Sequence, residues 1–217
     1  ADGLMLLSEM KGYDFAMTYF NSDGLESTMC GNGGRCMAAF AKSSGLAGAT
    51  TCFWAIDGIH EAEMPGTSSN IYRLKMKDTR IDRHFIDGTF LNTGSPHFVK
   101  FVDDAEKTNV FNAGRELRND ARFAPGGTNV DFVELQNDTL FVRTYERGVE
   151  NETLSCGTGV TAAAIVAASR DGANQGFYNI KTQGGNLKVS FTQTGEVFSE
   201  IWLEGPVEKV FEGEIEI

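Results

Sequence analysis

Along most of the chain apolar and polar residues alternate with a period near two, the pattern of strands that bury one face. Tyr13 to Phe20, Thr50 to Ile56, Ile59 to Met64, Ile71 to Met76, Asn129 to Leu135 and Thr139 to Tyr145 read this way. Ala1 to Leu7, Gly88 to Thr93, Phe98 to Val102, Tyr178 to Thr182, Asn186 to Phe191 and Val197 to Leu203 add runs of strand length, and Val207 to Ile217 is expected to supply one or two terminal strands. Asn21-Ser22-Asp23-Gly24, Asp57-Gly58 and Asn137-Asp138 supply reversals, and Pro65 to Asn70 reads as loop.

Two segments leave this period. Glu26 to Ser44 and Val160 to Ala168 are rich in small, helix-favouring residues, with Thr28 the expected cap and Gly45 the stop of the first. Asp103 to Arg118 predicts a surface helix broken near Gly114. The charged, aperiodic stretch Lys77 to Phe85 is the expected domain junction. Strands, helix and strands therefore occur twice. That order predicts an α+β fold of two pseudo-symmetric halves, each a mostly antiparallel sheet wrapped around a central helix.

Both helices open on the same words, Cys30-Gly31-Asn32-Gly33 and Cys156-Gly157-Thr158-Gly159. A cysteine just before a helix sits among unpaired N–H groups at the positive end of the dipole, which favours its thiolate. The glycines let backbone approach a ligand, and their N–H groups can hold a carboxylate or phosphate. Simpler readings fit less well. Four cysteines in 217 residues are too few for a disulfide scaffold. There is no Cys-x-x-Cys, and none of the three histidines has ligand spacing, so no metal is expected. Neither stretch continues as a P-loop or a dinucleotide fingerprint.

Asn21-Ser22-Asp23-Gly24 followed by Met29-Cys30-Gly31-Asn32-Gly33-Gly34-Arg35-Cys36 resembles the first signature of the diaminopimelate epimerase family. The run Glu146-Arg147-Gly148-Val149-Glu150-Asn151-Glu152-Thr153-Leu154-Ser155-Cys156-Gly157-Thr158-Gly159 resembles the second, which related proline racemases lack. The resemblance implies a diaminopimelate epimerase-like fold with its active site in the cleft between the halves. It implies cofactor-independent interconversion of LL- and meso-diaminopimelate, in lysine and peptidoglycan-precursor biosynthesis. Family members begin with a further strand and a Gly-Asn-Asp-Phe loop, so an N-terminally incomplete chain is expected. The final strand of the family returns to the first half. The expected halves are therefore 1–78 completed by 208–217, and 79–207.

Inverting a carbon that bears an amino and a carboxylate group needs one acid–base group on each face. Cys30 and Cys156 are the candidates, sharing one proton and titrating as a unit. N–H groups at Gly31, Asn32, Gly157 and Thr158 are placed to stabilise the developing negative charge. A lone histidine after proline is more often a loop residue than a catalyst, and Glu146 alone could be a surface carboxylate paired with Arg147. The resemblance gives His97 and Glu146 the part of tuning the thiols, because Ser95-Pro96-His97 lines up with a family Asn-Pro-His loop. It gives substrate contacts to Asn21, Ser95, Asn129, Glu146 and Arg147, the last through a planar fork suited to a carboxylate. Ser95 stands where many relatives carry Asn, and Gly3 where some carry a substrate-binding Gln. Cys36 and Cys52 read as small buried side chains.

Thirty acidic against 19 basic side chains give a net charge of −11, which disfavours nucleic acid. The run Val160 to Ala168 is too short to span a membrane. The expected partner is a small amino-acid substrate, the candidate assembly a homodimer, and the compartment the reducing cytoplasm. Three other readings remain open at this point: a racemase of another amino acid such as histidine, a relative without thiol chemistry, and a binding protein switched by a reversible disulfide.

Overall fold

The computed structural model describes residues 3–21, 24–27, 30–66 and 70–214. The chain divides into two compact units, Ala1–Leu74 with Gly205–Ile217, and Lys75–Glu204.

The first unit holds β1 (Gly3–Ser8), β2 (Phe15–Asn21), β3 (Glu26–Ser27), α1 (Gly31–Ser43), β4 (Thr50–Ala55), β5 (Gly58–Glu63) and β6 (Ile71–Lys75). Its strands run in the order β1-β2-β4-β5-β6, with β3 beside β2. Among the described residues of this unit only β2 and β4 are parallel, because α1 lies in the connection between them. Alternation does the work the sequence suggests: Phe15 and Met17 of β2, Phe53 of β4, Ala62 of β5 and Leu74 of β6 are buried. Phe15 stacks on Phe53 with ring centroids 4.8 Å apart. One side of α1 is buried, through Gly31, Gly33, Gly34, Arg35, Met37, Ala38 and Ala41, and it packs on β1 and β5. Gly45, at φ +74°, follows the last turn as the stop.

The second unit continues with β7 (Ile81–Phe85), β8 (Gly88–Asn92), β9 (Pro96–Phe101), α2 (Val110–Arg118), β10 (Asn129–Gln136), β11 (Thr139–Glu146) and β12 (Asn151–Thr153). It ends with α3 (Gly157–Asp171), β13 (Gln175–Thr182), β14 (Gly185–Thr194) and β15 (Val197–Pro206). The order is β7-β8-β9-β10-β11-β13-β14-β15, with β12 beside β11. The pairs β9–β10 and β11–β13 are parallel, since α2 and α3 lie in their connections. Helix α3 is apolar on every side and buried from Gly159 to Ala168, as a helix enclosed by a sheet must be. It touches β8, β9, β10, β11, β13 and β14, while α2 packs on β10, β11 and β12.

The two faces of this sheet are sorted by residue parity. Phe98, Val130, Phe132 and Tyr145 point to the α2 side and close a core with Val110 and Phe123. Their neighbours His97, Asn129, Asp131, Thr144 and Glu146 therefore occupy the opposite face, the α3 side. Register aligns them: Asn129 pairs with His97, and Asp131 with Thr144.

Several expectations are corrected. Lys77 to Phe85 is not a bare junction: Ile81–Phe85 is edge strand β7, whose exposed Asp82, Arg83 and His84 obscured the alternation. Gly114 does not break α2. It is buried inside a continuous helix, where a Cβ would stand 2.4 Å from Tyr145 Cβ. No strand forms over Val207–Glu214, whose Val210 and Phe211 are exposed and whose acidic residues leave no face to bury; 215–217 lie outside the described residues. Val207 instead donates its N–H to the Asn70 carbonyl at 2.8 Å. The cap of α1 is Cys30 itself, and Thr28 lies outside the described residues.

Candidate active site

In the first unit Cys30 is the N-cap of α1, with extended backbone at φ −92° and ψ 134°. Its carbonyl accepts from Gly34 N–H at 2.8 Å, which closes the first turn. The thiol stands where a capping hydroxyl usually sits but makes no capping bond, and it is exposed. Gly33 lets this end of the helix lie on β1, since a Cβ there would be 2.8 Å from Met5 Sδ. Buried Arg35 curls back over the same turn. It donates from Nη2 to Asn32 Oδ1 at 2.9 Å and from Nη1 to the Gly31 carbonyl at 3.3 Å. Burial lowers the pKa of this guanidinium, and neighbouring Cys36 and Cys30 act the other way. Asn21 is exposed at the end of β2, its carbonyl accepting from Gly24 N–H at 2.9 Å. Cys36 is exposed and Cys52 half-buried, contrary to expectation, because the buried side of α1 excludes Cys36.

In the second unit Cys156 caps α3 in the same way, at φ −118° and ψ 114°, and its carbonyl accepts from Val160 N–H at 2.9 Å. This thiol is buried, only 8% exposed. Its Sγ lies 3.4 Å from Thr158 Oγ1, which lies 2.9 Å from His97 Nε2. The other ring nitrogen, Nδ1, is 2.7 Å from Asp131 Oδ2, and both side chains are wholly out of solvent. Asp131 Oδ1 accepts from the Thr144 hydroxyl at 2.7 Å. Five side chains from β9, β10, β11 and α3 thus form one continuous polar row.

Beside that row Asn129, the first residue of β10, ties two segments together. Its amide nitrogen donates to Ser95 Oγ and to the Pro96 carbonyl, both at 2.9 Å, and its Oδ1 accepts the Arg147 N–H at 2.8 Å. Arg147 also donates from Nη1 to the Gly126 carbonyl at 3.2 Å. Gly148, at φ +95°, carries the turn that presents Arg147 after the end of β11.

Electrostatics at Cys156 depart from the helix-terminus expectation. Burial pushes the Cys156 thiol well up, and the carboxylates of Glu146 and Asp131 add to this. The hydrogen-bond contacts with the Thr158 side chain and the Gly159 backbone act the other way without prevailing. Desolvation outweighs the dipole because the thiol is inside the unit, with two acidic side chains for neighbours. Burial likewise raises the Glu146 carboxyl.

Of the sequence candidates, Ser95, His97, Asn129, Glu146, Arg147, Cys156, Gly157 and Thr158 gather in the second unit, and Asn21, Cys30, Gly31 and Asn32 lie in the first. Sequence reasoning missed Asp131, Thr144 and Arg35. Asp131 had a signal: it interrupts Val130-Asp131-Phe132-Val133 at a position whose parity matches Asn129. Among the described residues no group of three or more His, Cys, Asp or Glu could hold a metal ion, and no helix is long and apolar enough to cross a membrane.

Comparisons with known proteins bear on this arrangement. The family model described as diaminopimelate epimerase matches residues 89–210. A diaminopimelate epimerase of Flavobacterium psychrophilum is 47% identical over 213 residues, covering 98% of this chain and 82% of the relative. One from Aquifex aeolicus is 41% identical over 226 residues, covering 99% and 80%. Among solved structures, a PhzF-family phenazine biosynthesis protein of Bacillus anthracis superposes with a TM-score of 0.70 at 14% identity, covering 94% of this chain and 81% of that one. A hydroxyproline epimerase from Agrobacterium vitis gives 0.69 at 14%, covering 94% and 72%. At 14% identity these structures share the fold. The curated relatives, in contrast, match nearly the whole chain at 47% and 41% identity: the chain belongs to the diaminopimelate epimerase family.

Proposed function

We propose that the protein interconverts LL- and meso-diaminopimelate by moving one α-proton with two cysteines and no cofactor. The observation that carries this reading is the repeated device itself: Cys30 and Cys156 each cap a helix that begins Gly-x-Gly, and neither thiol accepts a capping hydrogen bond from its helix. Backbone N–H groups at such a terminus suit a carboxylate.

The chemistry asks for a base on one face of the α-carbon and an acid on the other. One cysteine takes the proton as a thiolate while the second, still a thiol, delivers another, and the roles reverse for the opposite direction. Burial favours the protonated form of Cys156. The α-hydrogen of an amino acid is a poor acid and a thiolate a modest base. The gap is narrowed by N–H donors at Gly31, Asn32, Gly157 and Thr158 aimed at the substrate carboxylate as charge develops, a contribution worth about 2.7–4 kcal/mol per donor in comparable sites. Arg147, presented on its turn, is assigned the distal carboxylate, with Asn21 and Glu146 at the distal amino acid group. Four unpaired thiols suit a reducing compartment, which supports a cytoplasmic setting.

The test is incubation with LL-diaminopimelate in deuterated water under reductant. Loss of the α-hydrogen signal with appearance of the meso isomer is expected, and neither should occur with Cys30→Ala or Cys156→Ala. Exchange that survives either substitution overturns the two-thiol mechanism, and a folded, reduced protein that leaves diaminopimelate untouched overturns the substrate.

A further inference from the structure

We propose that Asp131 is a positioning residue for the epimerisation proposed above: it locks the His97 ring with Nε2 as a base toward the Thr158 hydroxyl, completing a proton path behind Cys156. The inference rests on that epimerase reading.

The direction of every hydrogen bond in the row follows from its buried end. An ionised carboxylate only accepts. Asp131 Oδ1 takes the Thr144 hydroxyl proton at 2.7 Å, so Oδ2, 2.7 Å from His97 Nδ1, must be met by Nδ1–H. That sets the tautomer of the neutral ring and leaves Nε2 with a lone pair. Two donors face it. The Asn129 amide is 3.4 Å away and its hydrogens are directed to Ser95 Oγ and the Pro96 carbonyl, whereas the Thr158 hydroxyl is 2.9 Å away. Thr158 therefore donates to Nε2 and turns its oxygen lone pairs to Cys156 Sγ, 3.4 Å off. The row reads Cys156 to Thr158 to His97 to Asp131, all donors aligned.

The step balances. The Cys156 S–H bond breaks as its proton goes to Thr158 Oγ1, and the Thr158 hydroxyl proton passes to His97 Nε2. A thiolate and an imidazolium result, Asp131 remains a carboxylate, and the net charge of the row stays at one negative. The reverse transfer restores the thiol. This gives a buried thiol somewhere to place its proton without opening to water. The charged groups that face the path are Asp131 from β10 and Glu146 from β11, and α3 brings Cys156. The enclosure is shaped for the carboxylate as well: any Cβ on Gly159 would come to 2.4 Å of Asp131 Oδ1.

The deciding experiment has two readouts. In protein labelled with 15N-histidine, His97 is assigned among the three histidines by loss of its signals in His97→Gln. Its ring nitrogens should report Nδ1–H with Nε2 unprotonated. Asp131→Asn should convert the ring wholly or partly to Nε2–H, and kcat should fall by about a hundredfold or more with KM changed only a few-fold, as when a triad carboxylate is neutralised. Unchanged nitrogen shifts, or altered shifts with wild-type kcat, overturn the proposal. If Asp131→Asn does not fold, Thr158→Val against Thr158→Ser decides: a comparable loss of kcat in the first and near-complete rescue in the second are expected, and equal activities overturn the path. Wild-type protein inert toward diaminopimelate would refute the epimerase reading instead, because the tautomer measurement needs no substrate.

Discussion

Gly159 lies bare against Asp131: a methyl group at position 159 would sit 2.4 Å from Asp131 Oδ1 and 3.1 Å from Thr144 Oγ1. Neither neighbour can yield easily, because Asp131, wholly out of solvent, is held by His97 and Thr144. Helix propensity alone would make Gly159→Ala favourable by about 1 kcal/mol. Overpacking outweighs it, so a net destabilisation of about 1–3 kcal/mol is expected, together with slower epimerisation as the carboxylate and ring are displaced. Urea unfolding midpoints and turnover measured on the same preparation check this; an unchanged midpoint would mean the sheet gives way freely.

The two candidate catalytic thiols differ in surroundings although their helix caps match. Cys30 is exposed, whereas Cys156 is 8% exposed and its thiol is pushed up by burial. Alkylation follows thiolate fraction and access together. In a Cys36→Ser, Cys52→Ser background, iodoacetamide should label Cys30 at least about tenfold faster than Cys156 at neutral pH. Peptide mass spectrometry over a time course reads both rates. Equal rates would show that Cys156 is reached by solvent far more often than its burial allows.

Much of this architecture was legible in the residues, and the failures have physical causes. Alternation placed β2, β4, β5 and β6 because their two faces differ in burial, whereas β10 and β11 were found although α2 covers one of their faces and α3 the other. It failed for β7, an edge strand where only Ile81 and Phe85 are even half-buried, so the period was swamped by charge. Gly114 was misread because glycine disfavours helix on its own account, while the close approach of Tyr145 that requires it comes from another element. The motif cysteines could be located from sequence, but not the difference between them: Cys156 is buried while Cys30 is exposed, and the carboxylates of Glu146 and Asp131 stand near enough to Cys156 to raise its thiol further. Asp131 was visible only as a charge in an apolar strand. What made it informative was the pairing with His97, and parallel strand register is not written locally.

Glu146 gives a pH dependence of defined sign. Burial raises its carboxyl above the usual 4.5, so the folded state binds that proton more tightly than the unfolded chain does. Its contribution is fully present below about 4.5 and is lost as pH rises through the folded-state value. Glu146→Gln carries no charge to bury. Relative to wild type it should be more stable near neutral pH, with the advantage shrinking to nothing as pH falls below 4.5. Chemical denaturation of both proteins across that range reads the difference. A difference independent of pH would place the Glu146 carboxylate in solvent.

Asn129 reaches the substrate through Arg147, or touches it directly, and the hydrogen bonds favour the first. Both Asn129 amide donors go to the Ser95 loop and its carbonyl oxygen holds the Arg147 N–H at 2.8 Å, which leaves Asn129 little to offer a ligand. Arg147→Ala should raise KM for diaminopimelate by about 10- to 100-fold, the loss of a charged hydrogen-bonding partner worth about 1.5–3 kcal/mol. Asn129→Ala should raise it less, by freeing the turn at Gly148 that carries the arginine. In the double variant the two effects should not add: once the guanidinium is gone, anchoring its backbone no longer matters to KM, and the double variant should bind as Arg147→Ala does. Costs that sum instead would mean that Asn129 makes its own contact with the distal amino acid group, and that the bonds seen here break when substrate arrives.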